Sequence, residues 1–472
     1  LLGVTFSLDM GHPQITYYLA LFCAILYGGY VLFSIKDKEI ASLGKTTGLF
    51  ALASLLALAP NTGKLYSDFE MAQFSLRGPS ELTITPEGQT LNEPESGLDR
   101  DYAFMWSYGK IEMLTALIPN AYGGKSGGTV GQESNLYKEL RRRGADVGSK
   151  VQTYTYWGDK PFTSGPNYFG AVVCFLMVFG LIQWKNRLKW FVLGGSVFLT
   201  LLAFGKNLAW FNNVMFDVLP MYNKFRTVEM ALVIPAMGAV LLGFLGLIDF
   251  YKSLLPNPSR SNASAEQTTS INKALYLSLG LVGGLTLAVA LVPSLFLSFQ
   301  SPLDAQYNLP TWYYNALLED RKAMAVADAL RSLAFVGLTF GVLFAMNRYS
   351  KTKHAILGGL IALTKLVTVD LWSVNQRFLN EDNYTDVRPG QNYGPELADE
   401  RILQDEELGY RVLNLNGTFS DNHTPYFHRA VGGYHPVKLR KTQDLIDFYM
   451  NREIQYVIQQ LQDAQSIQNL GA

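Results

Sequence analysis

The sequence predicts an all-α polytopic membrane protein, with about eight transmembrane helices and a smaller mixed α/β segment outside the membrane. Three observations point there. Apolar residues cluster into runs of membrane length. Charged residues are scarce, 17% of 472, against about 25% in soluble globular domains. The short polar connections alternate between basic-rich and basic-poor.

The apolar runs fall at 15–35, 46–60, 167–183, 188–204, 229–249, 273–293, 329–346 and 354–372. A span needs roughly 20 apolar residues, with a range near 17–25. Most of the runs qualify; 46–60 is short and needs Asn61, Thr62 or a tilt. One such run could be a buried core helix, but eight in one chain argue for a membrane. Loop charge tests this count. The connections 36–45, 184–190, 250–273 and 347–353 hold twelve Lys and Arg, against five in 205–228 and 294–328. The positive-inside rule places the first set in the cytoplasm, and the alternation needs all eight spans. Residues 1–14, the loop 61–166 and the tail 373–472 then share the outer side. The division expected is a transmembrane domain 1–372 carrying the outer loop 61–166, followed by an incomplete outer segment 373–472.

The loop 61–166 is rich in Gly, Pro and Ser. Within it, apolar residues at 111, 113, 114, 117 and 118 make a helical stripe too short to span. Flanked by Trp106, Tyr108 and Tyr122, the stripe reads as an interfacial or re-entrant helix. Parts of 205–228 read the same way. In the tail, 395–404 predicts a helix, 411–415 a strand and 438–465 a longer helix. The stretch 256–270 reads as a linker. No internal repeat is visible.

Several function classes are excluded. Lys+Arg and Asp+Glu are equal, 39 each, whereas a nucleic-acid binder carries a basic excess. The two cysteines, Cys23 and Cys174, lie in apolar runs and make no disulfide framework. No cofactor is expected. A divalent metal would be compatible with the proposed chemistry, but no ligand set has metal spacing.

The candidate site residues sit at outer helix ends. Asp9, His12 and Gln14 precede the first span, and Lys206 and Asn207 follow the fourth. Lys224, Arg226 and Glu229 open the fifth. Tyr154, Tyr156, Trp157, Asp159 and Lys160 precede the third. Lys206, Lys224 and Arg226 suit a phosphate or pyrophosphate head group, since Arg grips phosphate oxygens bidentately and Lys supplies a point charge. Aromatic faces pack on sugar rings and lipid chains. A carboxylate, Asp9, Asp159 or Glu229, could serve as base to an acceptor hydroxyl. For each residue an interfacial anchor or the ordinary aromatic belt is the alternative. Lys365 and Asp370 are charges at membrane depth, where a structural pair or a pathway residue is expected. Arg141, Arg142 and Arg143 read as a solvated face.

Gly11-His-Pro-Gln-Ile-Thr-Tyr-Tyr18, the stretch from Trp157-Gly-Asp-Lys to Phe169-Gly170, Ala203-Phe-Gly-Lys-Asn207 and Tyr222-Asn-Lys-Phe-Arg-Thr-Val-Glu229 resemble the YfhO family of bacterial membrane proteins, in its Bacteroidetes form. Arg411-Val-Leu-Asn-Leu and Gly432-Gly-Tyr-His-Pro436 in the tail are also similar. The resemblance implies the GT-C glycosyltransferase architecture and a bacterial inner-membrane location. It further implies sugar transfer from a polyprenyl-phosphate carrier to an envelope acceptor on the outer face. On the reading of the residues themselves, Lys206, Lys224 and Arg226 hold phosphate, Asp9, His12 and Gln14 line the sugar or acceptor site, Trp157 and Asp159 close it from the long loop, and Asp9 and Asp159 are the candidate catalytic carboxylates. Such enzymes usually carry a catalytic Asp or Glu in the first outer loop. This sequence starts at Leu1 near what would be a later helix, so a fragment lacking the first helix and the C-terminus is expected. The rival class is a transporter or flippase of lipid-linked or small polar substrates, with Lys365 and Asp370 on its pathway. A third is a non-catalytic envelope assembly protein.

Overall fold

The computed structural model describes residues 2–9, 11–86, 88–90, 97–255, 264–349, 353–384, 394–407, 409–435 and 437–470. The described chain is mostly helical and divides into two compact units. One unit comprises residues 1–59 and 100–381, the other 60–99 and 382–472.

Six helices have the length and composition to cross a membrane: Pro13–Lys36, Ile40–Phe74, Val228–Leu254, Thr268–Leu291, Thr311–Arg348 and His354–Asn375. Two further apolar runs form helices of other kinds. Helix Ala171–Gln183 has 13 residues. Helices Lys189–Ala203 and Gly205–Val218 meet at 113°, the geometry of a broken span or a re-entrant loop. Every apolar run of the sequence is thus helical, and the helices leave large apolar side chains uncovered. Leu49, Phe50, Leu52, Leu55 and Leu56 are all exposed, as are Phe244, Leu281 and Leu338. A protein folded in water would bury such rows; a lipid-facing bundle leaves them outside.

In the first unit, helices Ala171–Gln183 and Val228–Leu254 pack backbone to backbone. Gly246 lies so close to Gly180 that a Cβ there would collide with the Gly180 backbone. Close approach through small residues is how helices associate where no hydrophobic drive separates them from lipid. Around this contact the core collects Phe175, Phe179, Phe250, Leu275, Val289, Val336 and Leu343.

Helix Thr311–Arg348 has 38 residues. At 1.5 Å per residue it is about 57 Å long, well beyond the roughly 30 Å hydrocarbon layer. It starts 18 residues before the span predicted at 329, because its N-terminal half buries charge in place of apolar groups. Asp320 accepts from the Asn135 and Leu136 amides at 2.6 and 2.9 Å. It thereby supports the N-terminus of helix Asn135–Arg142, where the Ser134 hydroxyl also accepts from the Tyr137 amide. Asp328 accepts from the Asn120 amide at 3.0 Å and pairs with Arg377 at 2.7 Å. The loop residues 100–170 are therefore fastened to this helix. They include a hairpin that the sequence did not announce, Gly128–Gly131 antiparallel to Lys150–Thr153.

In the second unit the expected tail helices form as Leu397–Ile402 and as the run Arg440–Leu445, Ile446–Met450 and Asn451–Leu470. The expected strand 411–415 does not form. Only one parallel bridge, Val412 to Ala430, is made, so among the described residues the tail is helical with irregular connections, not mixed α/β. The reason is local. The Asn414 side chain donates to Asp421 and Thr424 and accepts from the Asn416 amide, an Asx turn that ends the extended run. The linker predicted at 256–270 lies outside the described residues as far as 263, and helix Ser264–Ser278 follows.

Candidate functional site

Several of the helix ends predicted to share one face come together at one end of the first unit. Residues 103–108 run between two junctions. On one side the Tyr108 amide donates to Ala203, the Lys206 amide to the Ser107 hydroxyl and the Asn207 side chain to the Tyr108 carbonyl. On the other, the Thr227 amide donates to Ala103 and the Glu229 amide to Trp106. Gly205 makes the first junction possible. Its φ is +43°, and a Cβ there would collide with the Ser107 hydroxyl. Gln14, on the first turn of helix Pro13–Lys36, closes the second by donating to the Arg226 carbonyl at 2.6 Å.

Beneath these junctions lies a buried charge cluster. Lys160, 1% exposed, places its ammonium 3.3 Å from Glu112 Oε1 and 3.0 Å from Glu229 Oε2. Glu112 is 2% exposed and Glu229 18%. The Glu229 contact is an ion pair whose angles fall outside hydrogen-bond geometry. The Tyr156 hydroxyl donates to Glu112 Oε1 at 3.2 Å, and the Gly109 amide to Glu112 Oε2 at 3.1 Å. The ammonium also sits 4.7 Å from the centre of the Tyr108 ring, a cation–π distance. One cation thus faces two carboxylates, an excess of one negative charge in a site from which water is nearly excluded. Burial pushes the Glu112 carboxyl above its ordinary value, with Lys160 opposing the shift. Burial likewise pushes the Tyr108 and Tyr156 hydroxyls up, so both remain hydrogen-bond donors.

Around the cluster, Trp157 stacks on Tyr122 at 3.7 Å and 15°, and its buried indole Nε1 has no hydrogen-bond partner among the described residues. Arg226 bonds the Tyr102 hydroxyl and lies over that ring. Lys224 is half-buried, and burial pushes its ammonium below the ordinary lysine value. Lys206 is exposed at the elbow of the broken helix. Beyond the elbow, helix Ala209–Val218 buries Asn212 and Phe216 and exposes Trp210, Val214 and Val218, four residues apart on one face.

The predicted residues therefore divide. Gln14, Trp157, Asn207 and Glu229 enter the packed site, and Lys206, Lys224 and Arg226 flank the same junctions. Asp159 is exposed although its neighbour Lys160 is buried, His12 is exposed, and Asp9 is exposed at the end of helix Leu2–Asp9. Lys365 is exposed on helix His354–Asn375. Asp370 is fully buried and held by Arg331 at 3.0 Å, the Tyr168 hydroxyl at 2.6 Å and the Val172 amide at 3.1 Å. That is a structural clasp across three helices. Sequence reasoning missed Glu112, and it noted Lys160 without giving it a role. The signal for Glu112 was present: a carboxylate inside the apolar stripe 111–118.

Comparison with family models, with curated proteins and with solved structures gives no match for this chain.

Proposed function

We propose that the chain is a GT-C-like membrane glycosyltransferase of the YfhO type. In this reading it moves a sugar from a polyprenyl-phosphate carrier to an envelope acceptor on the outer face of the bacterial inner membrane. One observation carries the reading: a buried lysine held between two carboxylates, one of which reaches solvent, with Lys206, Lys224 and Arg226 as rim cations at the adjoining backbone junctions. Glycosyl transfer needs these groups. As the acceptor oxygen bonds the anomeric carbon, its proton passes to Glu229, and the bond from that carbon to the phosphate oxygen breaks. The electron pair leaves on the phosphate, whose growing charge the rim cations offset. Lys160 fixes Glu229 in place, and Glu112 with Tyr156 and Gly109 fixes Lys160.

Two further features support the reading. Taking Ala171–Gln183 and the broken helix as membrane-crossing restores eight spans, with the basic connections on the cytoplasmic side. The uncovered apolar face of helix Ala209–Val218 suits the membrane interface. It would let a lipid carrier approach from the bilayer beside Lys206.

The test is glycan transfer by the full chain in proteoliposomes supplied with a polyprenyl-phosphate sugar. Lys224→Ala combined with Arg226→Ala should lower the rate at least about 100-fold, the scale of a lost electrostatic clamp. Unchanged transfer in that variant, or no transfer by the parent with any such donor, overturns the proposal.

A further inference from the structure

A second site lies at the opposite end of the same bundle. The last turns of helix Pro13–Lys36 and the connection 184–188 line an open surface cavity of about 390 Å³. Gln14 and this cavity stand toward opposite ends of a 24-residue helix, so roughly 24–30 Å along its axis separates the two sites. The cavity is lined by two cations, Lys185 and Arg187, two carboxylates, Asp37 and Glu39, and the aromatic rings of Tyr30 and Phe33. Its volume falls in the range of small-ligand pockets, about 300–1,000 Å³.

The charge pattern selects the ligand. An anion alone would meet Asp37 and Glu39 unpaired, and a cation alone would meet Lys185 and Arg187. A ligand carrying both signs a few ångströms apart satisfies all four. Among the described residues, the direct pair within the set is long and exposed. Arg187 lies 3.6 Å from Asp37, and the side chains are 58% and 48% exposed. Such a pair contributes little and exchanges readily for a ligand. Arg187 also rests over the Phe33 ring at 5.5 Å, which holds its guanidinium at the cavity wall.

The surroundings select the ligand's other half. Leu32 and Ile35 on the same turns of helix Pro13–Lys36 are exposed, as are Ile182 and Trp190 on either side of the connection. At about 100° per residue Leu32 and Ile35 lie on the side of that helix away from Tyr30, Phe33 and Ser34, so the helix end beside the cavity presents an apolar face to its surroundings. A tryptophan at the rim is the usual marker of head-group depth.

We propose that this cavity binds a phospholipid with a zwitterionic aminoethyl phosphate head group. The phosphate lies on Lys185 and Arg187 and the ammonium on Asp37 and Glu39, with the acyl chains in the surrounding bilayer. A primary ammonium fits better than a quaternary one, because carboxylates need N–H donors that a trimethylated nitrogen lacks. The proposal does not depend on glycosyl transfer.

The test is native mass spectrometry of the full chain incubated with equal amounts of phosphatidylethanolamine, phosphatidylcholine and phosphatidylglycerol. Phosphatidylethanolamine should be retained about tenfold over the other two, the ratio one charge-assisted hydrogen bond supplies. Asp37→Asn with Glu39→Gln should invert that order in favour of phosphatidylglycerol, since only cations remain. Lys185→Ala with Arg187→Ala should reduce retention of every phospholipid. Size-exclusion profiles confirm that the variants fold. Equal retention of the three lipids by the parent overturns the proposal, as does an unchanged order in the Asp37→Asn, Glu39→Gln variant. Displacement of the lipid by an equal concentration of soluble O-phosphoethanolamine would assign the cavity to a soluble amine phosphate and overturn the lipid assignment.

Discussion

Arg321 and Lys160 are both cations with almost no contact with solvent, yet their surroundings are built to different rules. Arg321 meets one carboxylate, Asp304, through two bonds of 2.8 Å, and donates also to the Tyr154 and Phe299 carbonyls. Its charge is matched one to one, and most of its donors are used. Lys160 meets two carboxylates, and the outer one is partly exposed. A fully matched pair has no charge left to act on anything else and serves to hold loop against helix. An overmatched cation leaves one negative charge seeking a proton or a cation, which is the condition a general base requires. The Arg331–Asp370 clasp belongs with Arg321. Burial alone therefore does not separate framework from chemistry in this molecule. The ratio of charges, and whether one reaches water, does.

Four experiments would sharpen or break this distinction. The largest effect is expected at Arg321. Arg321→Met leaves Asp304 buried without its partner and should cost about 3–5 kcal/mol, read as thermal unfolding in detergent micelles. The loss should persist at acid pH, because the Tyr154 and Phe299 carbonyls still lack donors; full recovery on acidification would place Arg321 in the same class as Lys160. Lys160→Met should cost about 3 kcal/mol at neutral pH, since Glu112 and Glu229 then face one another unpaired. Here most of the loss should return at low pH, as Glu112, whose carboxyl burial already pushes up, takes up a proton and relieves the repulsion.

Glu229→Gln should change stability by less than about 1 kcal/mol, because Lys160 keeps Glu112. The same variant should slow transfer by a factor of about 100 or more, the range for a lost general base. A large stability loss with unchanged transfer would make Glu229 framework. The smallest effect is a slope. The folded state favours protonated Glu112, whose carboxyl stands above the ordinary value of 4.5. Its contribution to stability is complete below that value and is lost as pH rises through the raised one. Glu112→Gln should therefore flatten the dependence of unfolding temperature on pH above 4.5. An unchanged slope would show that Lys160 fully offsets burial.

The helices were legible because their cause is written in consecutive residues. All eight apolar runs are helical, and 46–60 falls within Ile40–Phe74. Two of the eight fall short of a simple span for reasons hydropathy does not carry: the glycine elbow at Gly205 and the late start of helix Ala171–Gln183 after Gly170, whose φ is +108°. The start of helix Thr311–Arg348 was hidden because Asp320, Arg321 and Asp328 look solvent-facing until their loop partners are known. The tail strand failed because one side chain, Asn414, turned its own backbone.

The site was legible as a neighbourhood. Charged and aromatic residues at helix ends pointed to it, and Gln14, Asn207, Trp157 and Glu229 lie within it. Which of two adjacent charges turns inward was not legible. Asp159 and Lys160 differ by one position, and the turn that buries Lys160 is fixed by Tyr156 and by carboxylates 48 residues before and 69 after.

Helix Thr311–Arg348 sets the angular phase of the loop residues 100–170. Its first half carries Asp320, Arg321 and Asp328 and its second half is gripped by the bundle, so the two ends are geared to each other through an unbroken spiral. Inserting a single residue between Asp328 and the membrane-embedded half would turn those three anchors by roughly 100° about the axis and lift them about 1.5 Å. Lengthening by a seven-residue double turn would nearly restore the angle, leaving it about 20° short, while raising the loop about 10 Å. Change along this helix is thus quantised. Substitutions on its outer half are absorbed locally, whereas shifts of register dismantle the loop's attachment unless they come in near-whole turns.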